Sequence, residues 1–315
     1  MSPMTTPGRL MLLDSASLYF RAFFGVPDQR ESPAEAPTNA VRGFLDMIAT
    51  LVDRHRPDHL VACWDNDWRP AFRVEAIPSY KAHRVADETT DPDAEEVPDD
   101  LAVQVPVIIA ALEALGISRI GVDGYEADDV IGALTVRHRG LGPVDIVTGD
   151  RDLFQLVDDD AAVRVIYTAR GGVRDADAVD QAFLATKYGV ASGPAYADLA
   201  TLRGDSSDGL PGVAGIGEKT AATLLATFGT LEGIQAALAS GDPRIKGAVR
   251  SRLEAGTAYL QVAPAVVHVA VDAPLPQVPT LVPTQVADPV LLSRLAVDYG
   301  LTNPVNRVIS ALGLD

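Results

Sequence analysis

A single cysteine, Cys63, stands among the 315 residues. One thiol excludes an intramolecular disulfide framework and a zinc site built on cysteines. Beside a candidate strand, Cys63 reads as a small buried apolar residue. Long apolar runs are missing too. The longest lie near residues 10–13 and 105–112, far short of the roughly 20 residues that span a bilayer. No membrane partner is expected. Arg9 is not followed by an apolar stretch with a small-residue cleavage site, so no signal peptide is read and a cytoplasmic location is expected. Aromatic residues are few, at 6%, while hydrophobic residues reach 47%, so the core must be aliphatic. Trp64 and Trp68 read as packing residues. The five histidines (His55, His59, His83, His138 and His268) are too scattered to make a site. Basic residues are also scarce: 26 Lys and Arg face 43 Asp and Glu, a formal net charge of −17. Taken alone, that balance argues against a nucleic-acid partner.

The charge is sorted along the chain, however. Residues 69–84 hold Arg69, Arg73, Lys81, His83 and Arg84 against only Glu75. Residues 87–100 hold only carboxylates among their charged groups. That acidic stretch has no apolar period and several turn formers, so 79–100 reads as an exposed segment.

Elsewhere the patterning is regular. Residues 10–13, His59–Trp64 and Val144–Thr148 are short apolar runs that read as buried strands. Residues 38–52, 101–115 and 126–139 carry helical periodicity, the first capped by Thr38 or Asn39 and the second ended by Gly116. Asp152 opens a further helical stretch over 152–157. Strands alternating with helices predict an α/β core over 1–182, with a parallel sheet covered on both faces. From Phe183 the texture changes to helices joined by glycine-rich turns, and 183–315 is read as a helical region completing the fold. Within it, 212–228 reads as two helices about the tight turn Gly215-Ile216-Gly217.

The placement of the acids is more informative than their number. Asp14 and Asp65 each follow a predicted strand, and Asp150 and Asp152 follow a third. In open α/β sheets the carboxyl ends of the strands converge on one crevice. Glu126, Asp128 and Asp129 fall in the first turn of a predicted helix, where residues three apart share a face. Asp205 and Asp208 repeat that spacing. Each group alone is ordinary dipole compensation or turn chemistry. Gathered in one crevice, they would repel unless cations neutralised them. Oxygen ligands favour Mg²⁺ or Mn²⁺ over Zn²⁺. Two such ions suit in-line attack of water on a phosphodiester.

The stretches LMLLDSASLYFRAFF, AFRVEAIPSYKAHR, GYEADDVIG, VTGDRDLFQLV and LRGDSSDGLPGVAGIGEKTA together resemble the 5′-nuclease family. That family includes the 5′-nuclease domain of bacterial DNA polymerase I and stand-alone flap endonucleases. The resemblance runs from about residue 10 to about residue 312. It implies a PIN-like α/β fold, a helical arch near 79–100 and a helix–hairpin–helix element near 212–220. It implies hydrolysis of branched or nicked DNA at single-strand to duplex junctions, with RNA–DNA hybrids as further substrates. The metal-site carboxylates it implies are Asp14, Asp65, Glu126, Asp128, Asp129, Asp150, Asp152, Asp205 and Asp208, around two or three divalent ions. Tyr80, Lys81 and Arg84 match its Tyr-Lys-x-x-Arg, with the lysine and arginine on the scissile phosphate. Arg21 and Arg73 match arginines that hold neighbouring phosphates. Gly215, Gly217 and Lys219 would grip the duplex without reading sequence, with a K⁺ ion at that turn. A monomer is implied, acting with a separate DNA polymerase and ligase.

The chain departs from the family pattern at Ser15-Ala16, where Gly-Ser is usual, and at Gly209, where Asn is usual. It also departs at Ala82-His83 and at Phe20 and Phe24. None removes an implied metal ligand. Two other readings stay open from sequence: a junction-binding protein that lost its chemistry, and a phosphatase with an aspartate nucleophile in Asp150-Arg151-Asp152. The second leaves Glu126–Asp129 and Asp205–Asp208 without roles and requires a phospho-enzyme.

Overall fold

The computed structural model describes residues 6–32, 34–86 and 95–314. The arch expected over 79–100 is therefore described only at its two ends. Six strands form one sheet in the order β3-β2-β1-β4-β5-β6. They are β1 (Leu10–Asp14), β2 (His59–Trp64), β3 (Ser118–Gly121), β4 (Val144–Thr148), β5 (Val163–Tyr167) and β6 (Asp177–Val179). The first five run parallel, and only the edge strand β6 is antiparallel. Leu10 of β1 lies opposite both His59 of β2 and Val144 of β4. The strand order thus turns back at β1, which puts the crevice of the sheet at the carboxyl ends of β1, β2 and β4.

Successive strand residues point to opposite faces, so a strand buried on both must be apolar throughout. β1 shows this: Leu10 and Leu12 enter one core and Met11 and Leu13 the other. The second core is closed by α1 (Ser15–Gly25), α2 (Asn39–His55) and, after α3 (Ala71–Ala76) and the single turn α4 (Asp99–Ala102), by α5 (Val105–Leu115). The first core packs under α6 (Ala127–His138) and continues without a break into α7 (Gln181–Tyr188), α8 (Gly193–Arg203) and α9 (Glu218–Phe228) through Leu184, Leu199 and Leu225. Shorter helices follow: α10 (Leu231–Ala239), α11 (Gly247–Ala255), α12 (Thr257–Val262) and α13 (Pro264–Val267). The last two, α14 (Pro289–Asp298) and α15 (Thr302–Leu312), return to cover α2 and α5 through Leu292, Leu295, Val305 and Val308. No single helix among the described residues is long and apolar enough to cross a membrane.

Three sequence expectations are corrected. The helix expected over 101–115 breaks at Val103–Gln104. Pro106 has no N–H to give to the preceding turn, and the buried Gln104 side chain turns away to accept from Ala40 N–H (2.8 Å) at the start of α2. The stretch 152–157 forms a 3₁₀ turn, Asp152–Leu156, rather than an α-helix. Only one helix lies within 212–228. Its partner is α8, separated from it by the Asp205–Leu210 loop and glycines at 204, 209 and 212, all with positive φ.

Candidate active site

Three strand ends deliver carboxylates to the crevice. Asp14 closes β1 and caps α1, accepting from Ser17 N–H (3.2 Å) and from the Thr148 hydroxyl (2.6 Å). Asp65 follows β2 and accepts from Ala127 N–H (2.8 Å), the first residue of α6. Asp150 follows β4 and is exposed; its N–H donates to Thr148 Oγ1 (2.8 Å). Asp128 comes from the first turn of α6. With Glu126, Lys81 and Arg84 these groups line one polar pocket of about 240 Å³, edged by Phe20 and Trp68. Thr148 belongs to the site as well, since its single hydroxyl ties Asp14 to the backbone of Asp150.

Uncompensated negative charge dominates the pocket. Burial, then the nearby Asp65 and Asp150, push the Asp14 carboxyl up to about 7, although Thr148 and Ser17 oppose the rise. Burial also raises Asp65, against the Ala127 N–H bond. Asp128 is raised well above the usual carboxylate range by burial and by Asp14, Asp150 and Glu126. A second acidic group adjoins the first. Asp152 is raised by burial and by Asp150, Asp208 and Asp205, and Asp208 by burial and Asp150. Nothing in the sequence reading singled out Glu95, which also lines the pocket. It is held there by its bridge to Val85 and by Glu96 N–H donating to Arg84 O (2.9 Å). Burial and Asp65 raise it, while Lys81 and Arg84 draw it down. Its place in an acidic run hid it.

The two cations face these acids. Lys81 is nearly buried and adopts a left-handed backbone, φ 47°. Burial disfavours its charge, but Glu126 outweighs that and holds the ammonium well above its ordinary pKa. Its Nζ pairs with Glu126 Oε1. Arg84 pairs with Asp208 Oδ1 at 2.7 Å. The Asp208 loop is tied to the same strand of chain: Lys81 N–H donates to Asp208 O (2.9 Å) and the Ser79 hydroxyl to Gly209 O (2.8 Å). Gly209 has φ +69°, and a Cβ there would lie 2.1 Å from Ser79 O. The Cβ of an Asn there would meet the same oxygen.

Several implied roles do not match the geometry. Arg73 is 2% exposed and lies inside the protein, not on a DNA-facing surface. Its guanidinium donates to Glu126 Oε2 (2.7 Å) and to both Asp129 oxygens (2.7 and 2.6 Å). Asp129 is fully buried and also accepts from Glu126 N–H (3.1 Å) and Ala270 N–H (2.7 Å), so it points away from the pocket. Tyr80 is buried and gives its hydroxyl to Glu126 Oε2 (2.7 Å). Asp205 lies between Arg151 (3.6 Å) and Arg203 (3.7 Å), outside the pocket lining. Arg21 is half-buried on α1 and reaches Ala169 O (3.4 Å).

At the hairpin, Gly215 has φ +79° and its carbonyl accepts from the Arg252 guanidinium (3.0 Å). Gly217 caps α9 with open space where a Cβ would project, and Lys219 is exposed in the first turn. The N–H groups of that turn are the ordinary means of holding a phosphate.

Among the described residues no three His, Cys, Asp or Glu side chains are gathered tightly enough to hold an ion unaided. The donors nonetheless suit a hard divalent cation. They are oxygens only, and Asp14, Asp65 and Asp128 crowd carboxylates into a buried place, where a cation would relieve both burial and mutual repulsion. Mg²⁺ keeps most of its waters and takes one or two carboxylates, so it needs no closed cage.

Two family models match the chain: the 5′-3′ exonuclease N-terminal resolvase-like domain over residues 9–189, and the 5′-3′ exonuclease C-terminal SAM fold over residues 192–289. A 5′-3′ exonuclease of Streptomyces coelicolor is 60% identical over 303 residues, covering 96% of this chain and 99% of that one. A DNA polymerase I of Mycobacterium bovis is 37% identical over 92% of this chain, which spans 30% of that protein. The structure of T5 5′-exonuclease with divalent metal ions (zinc) bound shares the fold with a TM-score of 0.65 at 18% identity, covering 96% of this chain and 99% of that one.

Proposed function

Since the chain belongs to the 5′-3′ exonuclease family, we propose that it is a structure-specific 5′ nuclease. It cuts the 5′ strand of branched or nicked DNA at the junction between single strand and duplex, acting as flap endonuclease and 5′-3′ exonuclease. RNA in the 5′ strand, as in a primer, is a further substrate. The observation that carries this reading is one pocket holding Asp14, Asp65, Asp128 and Asp150 opposite Lys81 and Arg84. Anionic groups alone would repel a phosphodiester; the pair of cations gives it a place to lie.

Asp14, Asp65, Asp128 and Asp150 would hold two Mg²⁺ or Mn²⁺ ions, with Asp152, Asp205 and Asp208 beside them as places for a third or for its waters. Bound there, such ions supply Lewis acidity at the phosphate and lower the pKa of a water. Lys81, seated on Glu126, and Arg84, seated on Asp208, face the place where the phosphate would lie. Their charges then offset the charge that builds on the phosphoryl oxygens. Trp68 and Phe20 narrow the mouth and limit bulk water. The products carry a 5′-phosphate and a 3′-hydroxyl. The hairpin at Gly215, Gly217 and Lys219 holds the duplex by its backbone, so junction shape, not base identity, sets the cutting position. K⁺ at the hairpin fits less well, because Arg252 already occupies the Gly215 carbonyl. In this reading the protein works as a monomer in the cytoplasm.

The test is cleavage of a 5′-labelled flap DNA with Mg²⁺, with Mn²⁺ and with chelator, alongside Asp150→Asn and Lys81→Ala. Metal-dependent cutting at the junction, abolished by Asp150→Asn and slowed by Lys81→Ala, is expected. Junction DNA bound but uncut with either metal would overturn the enzyme reading and leave a DNA-binding protein on a nuclease fold.

A further inference from the structure

The Arg73 side chain makes five hydrogen bonds, and Arg73 itself does not line the pocket. Three go to Glu126 and Asp129, and two go to the backbone carbonyls of Val266 (3.0 Å) and His268 (3.3 Å). Those carbonyls belong to a strap, residues 266–270, that runs from α13 behind the site. The strap's Ala270 N–H returns to Asp129 Oδ1. Gln155 clamps the same strap from the other side, donating to Val267 O (3.1 Å) and accepting from Val269 N–H (3.0 Å). The strap lies so close to α6 that a Cβ on Gly132 would meet Val269 Cγ2 at 2.8 Å. Glu126 is what this assembly holds toward the pocket, and Glu126 in turn holds Lys81.

We propose that Arg73 and Asp129 act as one positioning unit, braced by the 266–270 strap, that seats Glu126 and through it Lys81. This rests on the nuclease reading for the step it serves, but not for its geometry. Neither residue touches substrate. A planar guanidinium can satisfy a carboxylate bidentately and two carbonyls at once, and an ammonium cannot. Arg73→Lys should therefore keep the buried charge and lose the alignment. Asp129→Asn keeps the shape and loses one charge. Gln155→Ala loosens the strap from outside.

The experiment measures kcat, KM, flap-DNA affinity in chelator and thermal unfolding for wild type, Arg73→Lys, Asp129→Asn, their double variant and Gln155→Ala, all well below each melting temperature. The expected result is a kcat about tenfold lower or more in both single variants, with DNA affinity unchanged within about twofold and an unchanged salt dependence. The double variant should be no worse than the poorer single one, as for residues acting as a unit. Gln155→Ala should show the same pattern with a smaller loss. A weaker affinity with a salt slope reduced by about one, the mark of a lost phosphate contact, would overturn the inference and return Arg73 to the DNA surface. Recovery of Asp129→Asn by raised Mg²⁺ or Mn²⁺ would overturn it in favour of a metal ligand. Failure of the wild type to cut at all counts against the nuclease reading instead, and the affinity measurements still decide where Arg73 acts.

Discussion

The Thr148 hydroxyl donates to Asp14 over 2.6 Å with both groups out of solvent, and the same oxygen accepts the N–H of Asp150. One side chain on β4 thereby ties the Asp14 carboxylate of β1 to the backbone of Asp150. Thr148→Val keeps the shape and removes both bonds. Leaving buried partners unsatisfied costs about 1–3 kcal/mol, so denaturant unfolding should show a loss of that size. The bond to Thr148 also pulls against the rise of the Asp14 carboxyl. Without it, Asp14 holds its proton to a higher pH, and the acid limb of the cleavage profile should move upward. An unmoved limb would show that Asp14 does not govern it.

Divalent ions should stabilise the fold, and more at high pH than at low pH. Asp14 lies near 7 when folded, against about 3.9 for a free aspartate. A folded state that binds its proton more tightly loses stability as pH rises from about 4 to about 7. Asp65 and Asp128 are raised in the same direction. As the pH rises through about 7, Asp14 adds its charge to the site, and a bound cation relieves the repulsion. Adding millimolar Mg²⁺ or Mn²⁺ to chelated protein should raise the melting temperature by about 3–6 °C at pH 8. At pH 5.5, where protons already neutralise Asp14, the gain should be smaller. Equal gains at the two values, or none at pH 8, would count against the carboxylates as the ion site.

Gly209 offers a test of how the Asp208 loop is set. Its φ of +69° alone would tolerate Asn, a residue that visits the left-handed region readily. The obstacle is Ser79 O, 2.1 Å from where any Cβ would stand. Gly209→Ala and Gly209→Asn should thus both destabilise, by about 1–3 kcal/mol, and both should lower activity by shifting Lys81 and Asp208, which share a hydrogen bond. If Asn is tolerated and only Ala is costly, backbone conformation and not the contact with Ser79 sets the choice.

The strand ends were legible because buried parallel strands are continuous apolar runs, so Asp14, Asp65 and Asp150 fall out of where those runs stop. The i to i+3 spacing of Glu126 and Asp129 was legible: both carboxylates reach Arg73 Nη1, at 2.7 Å each. Glu126 caps α6 with extended backbone (φ −84°, ψ 165°), and Asp129 folds back onto Glu126 N–H in a reciprocal capping box. The spacing did not show that Arg73 and the Ala270 N–H, and not the pocket, take up Asp129. Arg73 could not be placed from sequence because its partners lie 53 to 195 positions away. Glu95 had the opposite difficulty: seven similar neighbours in the acidic run gave no way to choose it.

Arg252 makes the hairpin's dependence on monovalent ions a question with a definite answer. A tight turn that aims a carbonyl outward offers it to water or to a cation, and a charged donor is the stronger partner. Here the partner comes from the chain itself: Arg252 Nη1 donates to Gly215 O at 3.0 Å, and its guanidinium lies where a Cβ at position 215 would stand. With that position filled, exchanging Na⁺ for K⁺ at fixed ionic strength should leave the duplex affinity of the wild type unchanged. Arg252→Gln removes the charge and empties the space beside the carbonyl. Its duplex affinity should fall about three- to tenfold in Na⁺, the scale of one lost charge contact, and K⁺ should restore part of the loss because a larger, weakly hydrated ion can take the vacated carbonyl. Fluorescence anisotropy with a labelled duplex in the two salts separates the outcomes. A wild type that already tightens in K⁺ would mean that the ion binds at other oxygens of the turn and that Arg252 is only a neighbour.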